Sequence, residues 1–275
     1  MVPLPVLRWF YQLKPRSGSQ SVCADVDYAL EMTRTYLNIS QQAKIDLAQA
    51  NILEIGPGRS FAPQLVLASH GARMTAADPF LVGWDNSYHP TFYREFRARW
   101  HGPSTAIDEV IEANAYPSKV IRRVNEPAER LSTLSDQRFD LIFSNAVLEH
   151  VSDLISASRV LAGITRIGGA NSHQVDFRDH LSPAQPLNFL TRSSLQFFFE
   201  RTRHPSQGNR LRYGECVQIF RQAGFSLESG GPNCFVEDEY MADFLPQLRA
   251  SKSRYREWPA DDLRILGAHF LLRRV

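Results

Sequence analysis

A chain of 275 residues with 31 Lys and Arg against 29 Asp and Glu has a net charge of +2. This length fits one α/β core with insertions, and the near balance of charge disfavours nucleic acid as the main partner, since phosphate binding normally leaves a clear basic excess. Cys23, Cys216 and Cys234 are odd in number and lack metal-ligand spacing, which fits a reduced, cytoplasmic setting.

The apolar start, Met1 to Leu13, is too short to span a bilayer and lacks the charged start and cleavage site of a signal peptide. It is expected to pack on the protein's own core, with a membrane interface or a pocket cover as the alternatives. Between residues 22 and 48, Val26, Ala29, Leu30, Met32, Tyr36, Leu37, Ile45 and Leu47 fall at helical spacing, so residues 1–50 read as a lead-in of one or two helices. A buried strand over about 51–56 then runs into Gly56-Pro57-Gly58. A helix over about 62–69 closes at His70-Gly71, and a second strand, Arg73 to Ala77, delivers Asp78 to the carboxyl edge, where open α/β sheets bind ligands.

From Phe80 to about Lys119 the chain departs from a compact strand-helix-strand unit, so residues 81–118 read as an insertion. Its aromatics, among them Trp84, Tyr88, Phe92, Tyr93, Phe96 and Trp100, make either a substrate cover or the core of a helical subdomain. The core resumes with a strand at about 119–124, a turn over 125–129 and the buried strand Phe139 to Ser144. Asp140 lies at the end opposite the ligand edge and reads as structural. A helix over about 152–166 precedes Gly168-Gly169, and a fifth strand runs from there to about Val175. A helix over 212–223 and strands near 225–230 and 267–274 follow, with a second insertion at 232–266.

The glycine turn selects the nucleoside. Gly56-Pro57-Gly58-Arg59-Ser60-Phe61 lacks the third glycine of a dinucleotide fingerprint. Glu54 would repel a pyrophosphate but attract the ammonium or sulfonium of S-adenosylmethionine (SAM). Asp78, 20 residues past the turn, suits a ribose diol.

Taken together, Leu53-Glu-Ile-Gly-Pro-Gly58, Ala76-Ala-Asp-Pro79, Phe139-Asp-Leu-Ile-Phe-Ser-Asn-Ala-Val-Leu-Glu-His-Val151 and Gly168-Gly169 resemble the motif series of class I, Rossmann-like SAM-dependent methyltransferases, over roughly residues 50–180. The resemblance implies a doubly wound, seven-stranded, mostly parallel α/β sheet with its last strand antiparallel, spanning 51–275, and a lead-in that covers the cofactor. It implies cofactor contacts at Glu54, Gly56, Gly58, Asp78 and the adjoining Pro79. Many relatives bind the adenine amino group with an acid after the third strand. Here Pro127 stands in that place, so the contact falls to Glu126 or to the backbone of Ala128. Asn145 is expected to line the cofactor or acceptor pocket, or to cap a helix.

Methyl transfer from SAM to a hydroxyl needs positioning and a base. Asn171-Ser-His-Gln-Val-Asp-Phe-Arg-Asp-His180 leaves the fifth strand at the ligand edge with two histidines and two carboxylates. His173 is the favoured base, with His150 and His180 behind it. The same cluster has the chemistry of a partial divalent-metal set, but no metal is assigned. Arg178, Asn188, Asn209, Arg210 and Arg212 read as substrate-side groups. The chain is thus expected to be a soluble O-methyltransferase for a sugar, glycoconjugate or small natural product, with a homodimer left open. An N- or C-methyltransferase and a non-catalytic SAM-fold binding module are the rivals.

Overall fold

The computed structural model describes residues 19–204 and 206–275; the apolar start Met1 to Leu13 lies outside them. Seven strands form one sheet in the order β3-β2-β1-β4-β5-β7-β6. β1 (Asn51–Ile55), β2 (Arg73–Ala77), β3 (Ile121–Val124), β4 (Phe139–Asn145) and β5 (Thr165–Asp176) run parallel. β7 (Ile265–Arg274) lies antiparallel between β5 and β6 (Phe225–Phe235). The expected sheet, with an antiparallel last strand, is the one present.

Both faces of the central strands are covered, which is why β1 and β4 read as continuous apolar runs rather than alternating ones. One face carries α1 (Ser19–Gln42), α2 (Ala62–Ser69), α3 (His89–Arg99) and α4 (Thr105–Ala113). The other carries α5 (Leu154–Ile164) and α7 (Tyr213–Gln222). A third apolar cluster joins residues 187–197 to α8 (Asp238–Ala250) and α9 (Ala260–Leu263).

The described part of the lead-in is one long helix, α1, within the one or two expected. Several other boundaries differ from expectation. β5 begins at Thr165 and takes in Gly168-Gly169, with an irregular register between its pairings to Phe139 and Leu141. β6 runs to Phe235 and β7 starts at Ile265, so the second insertion is shorter than 232–266. The first insertion resolves mainly in favour of a helical core. Tyr88, Phe92, Tyr93 and Phe96 are buried against α1 and α2, and the Tyr93 hydroxyl accepts from the Phe61 N–H at 3.1 Å.

The stretch after β5 holds α6 (Ser194–Arg203), to which the sequence reading gave no element. Its start is local chemistry: Ser193 accepts from the Gln196 N–H while Gln196 accepts from the Ser193 N–H, a reciprocal cap. Asp140 is structural as expected. It accepts from the Asn51 N–H at 2.8 Å and pairs with Arg166 at 2.5 Å.

Candidate functional site

The carboxyl ends of β1, β2 and β4 open into a cleft of about 2000 Å³. Glu54, Gly56, Gly58, Asp78 and Pro79 line it from β1 and β2, Ala128 from the turn after β3 and Asn145 from the end of β4. Glu126 is not in the wall; Pro127 is. Of the two candidates named from the sequence, Ala128 lines the cleft and Glu126 does not.

The glycine turn is built by two positive φ angles, +69° at Gly56 and +75° at Gly58. A Cβ on Gly56 would lie 2.4 Å from Val147 Cγ2, whereas one on Gly58 would meet nothing within 4 Å. The first glycine lets the turn pack on the chain after β4, and the second leaves room for a ligand at the backbone.

Glu54 is 4% exposed and accepts from the Tyr36 hydroxyl at 2.6 Å and from the Gln64 amide. Burial pushes its carboxyl up to about 8 against the lowering effect of the Tyr36 bond. Without a nearby cation it is protonated at neutral pH, and a bound cation would recover its charge. Asp78 accepts from the Phe80 N–H at 2.6 Å, and burial raises its pKa despite that bond.

α1 lines the mouth with Asp25, Tyr28, Met32 and Tyr36. Asn145 donates to the Tyr28 hydroxyl at 2.6 Å, while Asp153 caps α5. Of the two roles considered for Asn145, lining the pocket is the one the geometry supports. The insertion adds Tyr88 and His89 to the wall, and α6 adds Phe197, Phe198 and Arg201.

The three histidines separate. His173 is fully buried, 2.7 Å from Ser144 Oγ, with its ring stacked 5.8 Å from Phe220. Burial, aided by His269, holds its pKa down at about 3. It does not line the cleft, so the favoured base of the sequence reading lies inside the core. His173 alternates along the strand with Val175 and Phe177, and both of those residues belong to the apolar cluster under α7.

His150 does line the cleft, and the His180 ring lies 4.9 Å from it. Glu149 completes a group whose ligand atoms all fall within 4.8 Å of one another. A hydrogen bond with Asp176 raises the pKa of His180 against burial. Burial would raise the pKa of Asp176, but bonds from His180 and Arg178 hold it well below the usual carboxylate range. Glu149 is pushed up to about 8 by burial, with nearby Asp176 adding to it.

The proposed substrate-side groups prove structural. Arg212 is fully buried and donates to the carbonyls of Phe177, Leu263 and Ile265. Arg210 donates to Arg192 O and lies 4.2 Å over the Phe197 ring. Asn209 donates to the carbonyls of Leu148 and Val151, and Arg178 pairs with Asp176. Asn188 starts a short 3-10 turn whose carbonyl accepts from Thr191. None of the five lines the main cleft. The side chains of Arg178, Asn209, Arg210 and Arg212 are each tied to backbone carbonyls or to an ion pair.

Residues 101–171 match the family described as a methyltransferase domain. Among solved structures, a protein assigned as a sarcosine dimethylglycine methyltransferase from Galdieria sulphuraria aligns with a TM-score of 0.50 at 13% identity, covering 89% of this chain and 86% of that one. A SAM-dependent methyltransferase from Mesorhizobium loti aligns at 0.46 and 15% identity, covering 85% and 95%. The magnesium protoporphyrin IX methyltransferase of Synechocystis, with bound S-adenosylhomocysteine (SAH), aligns at 0.47 and 12%, covering 98% and 94%. No curated protein matches the chain. Similarity at these identities bears on the fold, and the residues of the cleft carry the chemistry.

Proposed function

We propose that this chain is a SAM-dependent methyltransferase that moves a methyl group to a hydroxyl oxygen of a sugar, glycoconjugate or other hydroxylated small molecule. One observation carries the cofactor half: Glu54 and Asp78, on adjacent strand tips, border one cleft with an open backbone turn at Gly58. When bound, SAM supplies a methyl carbon on a sulfonium, an already activated leaving group. Asp78 accepts the ribose hydroxyls, as a carboxylate at the second strand tip does in nucleoside sites. Glu54, fixed by Tyr36 and Gln64, faces the methionine end, where positive charge favours its ionised form. Pro127 and Ala128 form the adenine wall.

The acceptor half rests on His150 and the rim of α6. The acceptor lies over His150, its apolar part against Phe197 and Phe198 and its hydroxyl beside the Glu149, His150 and His180 group. Arg201, half-buried in the same wall, offers a cation to an anionic acceptor. Among the described residues no helix is long and apolar enough to cross a membrane, and Cys23, Cys216 and Cys234 are unpaired, which supports a reducing compartment.

Calorimetry tests the cofactor half. SAM and SAH are each expected to bind at one site, and Asp78→Ala should weaken both by about tenfold to a hundredfold, as loss of one or two buried hydrogen bonds would. Failure of the wild-type protein to bind either compound would overturn the assignment. A screen with hydroxylated and amine acceptors then decides the atom, since turnover confined to amines would replace oxygen with nitrogen.

A further inference from the structure

Glu149 is 2% exposed, and its carboxyl meets no side-chain donor, only backbone N–H contacts from its own residue and from Asp176 that fall short of good hydrogen-bond geometry. The other buried acids of the chain are well served. Glu54 accepts from Tyr36 and Gln64, and Asp179 accepts from the N–H groups of Leu181, Ser182 and Phe189 and from the Gln207 amide. A buried carboxyl so short of donors is a costly arrangement unless something absent from the protein chain completes it.

Its neighbours indicate what that is. Glu149, His150 and His180 each present a ligand atom, and the three atoms lie within 4.8 Å of one another. Around an ion with bonds of about 2.0–2.2 Å, ligand atoms in a tetrahedral set stand roughly 3.4 Å apart, so a contraction of about an ångström closes the shell. Two imidazoles and one carboxylate suit a borderline divalent transition ion and leave coordination positions open.

We infer that Glu149, His150 and His180 form a divalent transition-metal site at the acceptor end of the cleft, with open positions for the oxygens of a hydroxylated acceptor.

The surrounding chain is built as support for such a site. Asn209 donates from its backbone to Glu149 O and from its side chain to Leu148 O at 2.9 Å and Val151 O at 3.2 Å, bracing the loop that carries Glu149 and His150. Two residues earlier, Gln207 is fully buried and accepts from the His180 N–H at 3.1 Å. One short segment therefore fixes both ligand loops. His180 Nδ1 lies 3.4 Å from Ser206 O, and its Nε2 lies 3.7 Å from Asp176 Oδ2. The Ser206 carbonyl on Nδ1 selects the tautomer with an unprotonated Nε2, which would bind the ion in place of its long contact with Asp176.

As a catalytic element the site rests on the methyltransferase reading; as a metal site it does not. An acceptor hydroxyl coordinated there becomes acidic and releases its proton to water. The oxygen's electron pair then forms the O–C bond as the C–S bond breaks, with sulfur keeping that pair. In this scheme His150 and His180 hold the ion and carry no proton.

The full-length protein, stripped with a chelator and titrated with Co²⁺, tests the site through the visible absorption of the bound ion, with Zn²⁺ as competitor. One ion per chain is expected. Glu149→Gln should weaken binding by at least about a hundredfold while SAM affinity stays unchanged, and His180→Asn should act the same way should the first variant fold poorly. Absence of saturable Co²⁺ or Zn²⁺ binding up to millimolar ion overturns the inference, as does binding that neither variant weakens. SAM binding without metal binding removes the ion and leaves the methyltransferase. Metal binding without SAM binding keeps the site and removes the methyltransferase.

Discussion

Ser144 holds His173 Nδ1 at 2.7 Å inside the apolar layer between β5 and α7, so the imidazole is neutral in the fold. Its pKa is depressed from 6.5 to about 3, which means the unfolded chain takes up a proton that the native state refuses. The associated stability is fully present above pH 6.5 and is lost as pH falls toward 3, by up to about 5 kcal/mol in all. His173→Gln should therefore flatten the fall in urea midpoint between pH 6.5 and 4.5 while leaving SAM affinity and turnover in place. A variant that binds SAM normally but turns over a hundredfold slower would return His173 to the chemistry. His150 and Glu149, only slightly removed along the sheet edge, differ because they follow β4 into the loop that meets the cleft rather than lying within a covered strand.

At the level of elements, Arg212 replaces ordinary packing with hydrogen bonds. Its guanidinium ties the exit of β5 at Phe177 to α9 at Leu263 and to the first residue of β7, Ile265. Arg212→Leu leaves three buried carbonyls without a donor, and the urea midpoint should drop by an amount equivalent to about 3 kcal/mol or more. An unchanged midpoint would show that water reaches those carbonyls. Arg212 also marks the limit of what the sequence reveals. Strand tips bearing Gly56 and Asp78 announce themselves through local turn chemistry, and α2 and β2 fall at their expected residues. The partners of Arg212 lie 35, 51 and 53 residues away, so no local pattern distinguishes it from a solvated arginine. Glu149 was concealed for the same reason: its environment is made by residues 207–209, contributed from a distant segment. α6 was the exception, a missed element whose Ser193-Ser-Leu-Gln196 cap was present in the sequence.

Across the whole molecule, the cleft joins α1, the strand tips, the first insertion and α6, so a ligand there contacts segments spread along much of the chain. Native-state binding should then raise global stability by mass action. At a free SAM concentration about a hundred times Kd the expected gain is about 2.7 kcal/mol, read as a rise in urea midpoint that grows with the logarithm of concentration. A midpoint indifferent to SAM would mean that the compound does not prefer the folded state. The sheet itself ends at β3 and β6. β6 carries Gly230-Gly231-Pro232, and its pairing with β7 shifts register at three places between Leu227 and Phe235. Proline contributes no amide hydrogen, and each shift twists the outer rim away from a flat ladder. A stray strand from another copy finds no regular row of donors and acceptors to extend, so this border of the protein is guarded against fibrous aggregation.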